Sequence, residues 1–408
     1  MNTQKKLTVG LAAALLGSGV ALADADFVIT GATAFRSAAN EAIITALDAD
    51  QSHVEVAYIG NQGFGSSDRT LIKIANANAD DASLDVNGDG FVTVKTSWSG
   101  STGGIESVAS ATPVQVLVDG TATSLFTSGG TEATTPSYTT QVARFTFSDV
   151  TQASSTTPSP TLEFEAGGVG VIPFAFVATE GSSAAGITSM TPQAFRALYG
   201  GNGTLPLSYF SGDPADDGIT VYGIGRNNSS GTRATMLAET GFGVFNSVTQ
   251  WDFWISTVSG ELEVDASNQG RPQDVSTFGV FSGTTGYSSS SYVRTLLGGT
   301  VPETTPGTKD FHVIGYIDQK DVAAAVSTGA EALDYAGYSF SVDAVREGKY
   351  TLWNYEQFLW PAGLTAAEQT FRDDIVNGID ASLDETKFVK RSTMQVERTG
   401  DGATVRPL

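Results

Sequence analysis

The sequence predicts an α/β chain built as two lobes, each an open sheet with helices on its faces. Three observations carry this reading. Apolar runs of strand length alternate with helical patterns, and the alternation occurs in two successive stretches. The chain is also 408 residues long, enough for two or three domains.

In the first stretch, residues 27–30 read as a strand. Gly31-Ala32 then turns into a helix with Phe35, Ala38, Ala39, Ala42, Ile43, Ala46 and Leu47 at helical spacing. Strands follow at 54–59 and 91–98, then a Gly-rich run at 100–104 and a short helix from Ile105. Further strands are expected at 114–118 and 142–147. Residues 169–177 are continuously apolar, as in a strand buried on both faces.

In the second stretch, Thr191 caps a helix with Pro192 at its first position and Gly200-Gly201 at its end. Residues 219–224 form a strand leading through Gly225-Arg226 to a helix at 232–240. Residues 311–317 are a strand and 318–326 a short helix. Thr365-Ala366-Ala367-Glu368 is a capping box for a last helix with Phe371, Ile375 and Ile379 on one face. The expected division is a leader at 1–23, a first lobe at 24–171, a second lobe at 172–317 and a return to the first at 318–408. The apolar runs 169–177 and 311–317 serve as paired crossings. Segments 76–90 and 121–140 are loop insertions in the first lobe, and 151–161 is a further loop.

The leader has two lysines, an apolar run at 7–22 and the small-x-small triplet Ala21-Leu22-Ala23. That is a secretory layout with a core too short to span a bilayer, so cleavage is expected near Ala23 and the product periplasmic or secreted. The chain has no cysteine, which excludes disulfides, thiolate chemistry and a lipid-modified cysteine anchor. His53 and His312 lie too far apart for a zinc-like pair. Forty-four acidic against 22 basic residues give a formal charge of −22. Such a balance disfavours nucleic acid and anionic membranes. It leaves small anions possible, because helix N-termini and a single arginine act locally while distant charge is screened.

Four segments stand where a ligand of an open α/β sheet is expected, at the ends of strands. They are Gly31 to Phe35, Ser99 to Gly104, Phe147-Ser148-Asp149, and Arg226 to Thr232. Glycine lets the backbone approach a ligand, and Ser or Thr at a helix start adds a hydroxyl to free N–H donors. Arg226 supplies a fork suited to two contacts with a tetrahedral oxyanion. Asp149 repels an anion unless the anion brings a proton, which phosphate does at neutral pH and sulfate does not.

Together the four segments resemble the phosphate-binding proteins of ABC importers, in the type II periplasmic binding protein class. Arg226 to Thr232 is similar to that family's R-x-x-x-S-G-T loop, and Gly100 to Gly104 to its G-S-x-G-G loop. The resemblance implies ligand binding by Thr33, Ala34, Phe35, Ser101, Asp149, Arg226, Ser230, Gly231 and Thr232. It departs from the family at Ala34, where a threonine is usual, and at Asn228, where an aspartate often holds the arginine. The implied ligand is phosphate or a similar oxyanion (arsenate or a phosphonate). The implied partner is an ABC permease, with the binding protein itself a monomer free of any membrane anchor.

Asp85, Asn87 and Asp89, with Gly90 at the sixth position, resemble the first half of a calcium loop, although Thr96 stands where its last acid would be. A Gly-rich hairpin turn explains the same residues. Otherwise no cofactor is expected. No Walker loop, zinc helix or nucleophile elbow occurs, so the reading is a binding protein and not an enzyme. A secreted or cell-surface scaffold of the same fold, stabilised by calcium and without a transport role, is the alternative.

Overall fold

A computed structural model describes residues 25–60, 63–264, 281–282 and 286–408; the expected leader lies outside them. In the first lobe, β1 (Phe27–Gly31) is followed by α1 (Arg36–Leu47), β2 (Glu55–Ile59), β3 (Arg69–Ala75) and β4 (Phe91–Ser97). Then come α2 (Ser101–Ala109), β5 (Pro113–Leu117), β6 (Tyr138–Val142) and β7 (Phe145–Ser148). β1 pairs in parallel with β4 on one side and β7 on the other. Their C-terminal ends therefore open onto one edge, which gathers residues 31–35, 99–101 and Asp149.

The second lobe contains β8 (Gly170–Ala178), α3 (Pro192–Gly200), β9 (Thr204–Pro206), β10 (Thr220–Gly223), α4 (Gly231–Glu239), α5 (Ser290–Leu297), β11 (Phe311–Asp318) and α6 (Gln319–Val326). The chain ends through β12 (Trp353–Pro361) and α7 (Ala366–Ser382). One sheet path runs β9-β10-β11-β8-β12-β7-β1-β4-β3-β2. Within it β10 and β11 are parallel, so their C-terminal ends carry Arg226 and Asp318 toward the same seam as Asp149.

Among the described residues, two strands join the lobes. β8 pairs with β12 through Gly170 to Pro173 and with β11 through Phe174 to Ala178. β12 pairs with β8 through its first half and with β7 through Gln357 to Leu359. The return crossing is thus β12, not the expected run 311–317. β11 stays in the second lobe, between β8 and β10. Residues after it stay there too: Ala332 pairs with Val177, and the Tyr350 hydroxyl donates to the Phe174 carbonyl at 2.7 Å. The boundary expected at 317 accordingly falls near 352. A continuous apolar run marks any strand buried on both faces, whether it crosses or not, while Asn354, Glu356 and Gln357 disguise the strand that does.

Three local differences have similar causes. The strand expected at 142–147 breaks between Val142 and Phe145, its halves belonging to a side hairpin with β5 and to the main sheet. α2 begins at Ser101, four residues before Ile105, because Gly104 packs against the Gly31 backbone and the Thr146 side chain, where any Cβ would overlap. Segment 76–90 is the turn of the β3–β4 hairpin and not an insertion, since β3 itself was not legible.

α1 lies against α7, whose Phe371 ring stacks on Phe27 at 4.0 Å. Both rings are buried, worth about 1.5–3 kcal/mol each relative to exposure. Thr365 and Glu368 form both halves of the capping box that starts α7. Among the described residues no helix is long and apolar enough to cross a membrane.

Candidate functional site between the lobes

After β10, Gly225 passes tightly beside the Tyr316 hydroxyl and Gln250, which turns Arg226 inward. Arg226 is 1% exposed. Its Nε donates to the Tyr287 carbonyl at 3.2 Å, and Nη1 to Ser290 Oγ at 2.8 Å and Thr232 Oγ1 at 3.3 Å. Nη2 donates to the Ser288 carbonyl at 3.0 Å and to Thr33 Oγ1 at 3.3 Å. Four of these partners belong to the second lobe; Thr33 belongs to the first. The fork therefore spans the seam.

Asp149 approaches from the other side. The Ser101 hydroxyl, at the start of α2, donates to its carboxylate, and its own N–H donates to Ser101 Oγ at 3.4 Å. Gly231, the first residue of α4, lies so close that an added Cβ would overlap Asp149 Oδ1 and Ser101 Oγ. Asp149 is buried. Burial pushes its carboxyl up to about 7; the Ser101 hydrogen bond opposes this, the Asp318 charge adds to it, and Arg226 opposes it.

The seam contains more charge than the sequence revealed. Asp318, at the end of β11, accepts from Thr232 Oγ1 at 3.0 Å. Lys320 Nζ, in the first turn of α6, donates to the Ala34 carbonyl at 2.6 Å, a second link between lobes. Glu356 of β12 is fully buried, and burial pushes its carboxyl well above the usual range, helped by the charges of Asp149 and Asp318 and opposed by Lys320. A chamber of about 20 Å³ lies beside Thr33, Ser290, Asp318 and Lys320.

Of the residues singled out in the sequence, Thr33, Ser101, Asp149, Arg226, Ser230, Gly231 and Thr232 come together here. Ser230 caps α4 by accepting the Arg233 N–H at 3.3 Å. Ala34 contributes the carbonyl that takes Lys320. The Phe35 ring is in the core of the first lobe, 5.0 Å from Phe388 and 5.7 Å from Phe147. Arg36 and Arg233, each beside one of the loops, are both buried; Arg36 pairs with Asp68 at 3.0 Å, and Arg233 donates to the Arg226 carbonyl at 3.5 Å.

Ser290, Asp318, Lys320 and Glu356 were missed. Ser290 lies in a run of four serines opening a helix, the same hydroxyl signal as in the other loops. Asp318 ends its strand, much as Asp149 stands directly after β7. Glu356 has no comparable signal.

At the expected calcium turn, Asp85 Oδ1 accepts the N–H groups of Gly88 and Asp89 at 2.7 and 3.2 Å, and Oδ2 accepts Gly90 N–H and Asn76 Nδ2 at 3.0 and 3.1 Å. Asp89 accepts the Phe91 N–H at 2.9 Å, and the Asn87 N–H donates to Asp26 at 2.9 Å. Among the described residues no group of three or more His, Cys, Asp or Glu is placed to hold a metal. His53 pairs with Asp48 at 3.1 Å, and His312 is buried beside Ser182 at 3.0 Å.

No protein-family model and no curated protein matches the sequence. Solved structures do match it. A Clostridium perfringens chain described as a phosphate ABC transporter substrate-binding protein with bound phosphate is 12% identical, covering 89% of this chain and 98% of its own, with a TM-score of 0.45. An ABC-type phosphate transport receptor from Vibrio cholerae is 13% identical, covering 89% of this chain and 99% of its own, with a TM-score of 0.43. The likeness concerns the fold alone.

Proposed function

We propose that this chain is an exported solute-binding protein whose lobes close on a protonated tetrahedral oxyanion, phosphate fitting best, for delivery to an ABC importer. One observation carries the reading: a buried arginine from one lobe and a buried aspartate from the other meet in a single seam lined by hydroxyls. The Arg226 fork and the hydroxyls of Thr33, Ser101, Ser230, Thr232 and Ser290 suit any oxyanion. An ionised Asp149 can only accept hydrogen bonds, so it favours a ligand bearing a proton over a bare one. Arsenate and phosphonates share that chemistry; sulfate does not.

A second reading rests on a different contact. The Thr102 and Gly103 N–H groups at the start of α2 donate to the Ser229 carbonyl at 3.1 and 3.5 Å, and Thr102 Oγ1 to the Asn228 carbonyl at 2.7 Å. The lobes thus bind each other directly through a helix N-terminus that an anion could otherwise use, which suits a scaffold with a permanently closed seam. Calorimetric titration of the mature protein with phosphate, arsenate and sulfate separates the two readings. Micromolar or tighter phosphate binding supports capture; heat of dilution alone for all three supports the scaffold.

A further inference from the structure

Glu356 lies in the first half of β12, the strand on which the chain returns between lobes. It is fully buried, and neither carboxyl oxygen has a hydrogen-bond partner among the described residues. Its register neighbour on β8 is Gly170, which has no side chain to pair with it. The charged groups acting on it come from both lobes: Asp149 after β7, Asp318 at the end of β11 and Lys320 in α6. Arg226 faces the same seam with Arg233 against its carbonyl, and Arg36 and Asp321 line the chamber beside Asp318 and Lys320. An anion entering this arrangement adds negative charge beside three buried carboxyl groups, those of Asp149, Asp318 and Glu356. An unpaired carboxylate in such a place is strongly disfavoured, and the group takes a proton instead.

We propose that Glu356 is the proton-holding residue of the seam, entering the closed state as a neutral acid, so that closure on an anion takes up a proton from solvent. This rests on the anion-capture reading. Charges of both lobes act on Glu356, and on this proposal opening the lobes readmits water and releases the proton to the medium. The neutral acid removes one negative charge from beside Asp149 and Asp318, which lets Asp149 remain the ionised acceptor. The burial of Glu356 supports this assignment, since its carboxyl is held well above the ordinary range.

The test is calorimetry of the mature protein with inorganic phosphate at pH 8, in two buffers of different ionisation enthalpy. Asp149, at about 7, is mostly ionised there, so Glu356 should contribute up to one proton to the uptake and the ligand's own protonation the remainder. Glu356→Gln should lower that uptake and flatten the loss of affinity with rising pH, which is at most about tenfold per pH unit for one linked proton. Should that variant not fold, Glu356→Asp should move the pH midpoint of uptake. Phosphate binding with identical uptake in parent and variant, or an unmoved midpoint, overturns the assignment while leaving anion capture intact. Absence of phosphate binding overturns both.

Discussion

Arg226 Nη2 donates to Thr33 Oγ1 across 3.3 Å, and this bond is made between residues of different lobes. The same guanidinium reaches four acceptors in its own lobe, so those bonds hold it independently of the other lobe, and the Thr33 bond is the one a separation of the lobes would break. Lysine cannot reproduce five contacts from one planar fork. Arg226→Lys should therefore weaken phosphate and arsenate together, by roughly 10- to 100-fold if charge-assisted bonds of about 1.5–3 kcal/mol are lost. Titration of both anions checks this; a variant that keeps either affinity removes Arg226 from the site.

Gly231 is required by a close approach and not by its dihedral angles, since it opens a helix. Its Cα faces Asp149 Oδ1 and Ser101 Oγ from the opposite lobe. Gly231→Ala should hold the lobes apart, raising the radius of gyration in X-ray scattering and abolishing anion binding. An unchanged scattering curve with unchanged affinity would show that the seam does not close this way.

Asp149 is held at about 7 in the folded protein, above its ordinary value. A group raised on folding contributes stability below its unfolded value near pH 4, and that contribution is lost as pH rises toward 7. Asp149→Asn removes the dependence. Melting temperatures of parent and variant should diverge from pH 5 to pH 8, with the variant gaining relative to the parent; parallel curves would place Asp149 in water.

Much of the fold was legible because periodicity and caps are local properties. Thr191, Thr365 and Glu368 cap the helices they were expected to cap. The four loops converge because the strands before them end at one edge of the sheet, a consequence of their parallel pairing. β12 was hidden because Asn354 and Glu356 are polar residues buried by tertiary contacts that no local pattern encodes. Lys320 and Asp318 were hidden for a related reason: their roles depend on which carbonyl or hydroxyl the other lobe brings near.

The Asp85 turn offers a separate test. Its carboxylate accepts three backbone N–H groups of its own loop and one side-chain N–H from Asn76, which is sufficient to shape the β3–β4 hairpin. Asp85→Ala should lower stability by about 1–2 kcal/mol, as losses of comparable capping acceptors do. A chelator should leave the parent's melting temperature unchanged. A chelator-sensitive melt that Asp85→Ala abolishes would instead assign calcium to Asp85, Asn87 and Asp89.

The most direct test of the central claim is a titration of the mature protein and of Asp149→Asn with phosphate and with sulfate at pH 8, where Asp149 is mostly ionised. The parent should bind phosphate and reject sulfate. The variant, which loses a charge and gains an N–H donor, should bind phosphate more weakly and sulfate more tightly. Equal changes for both anions, or none, would contradict the assignment of Asp149 as the group that selects a protonated ligand.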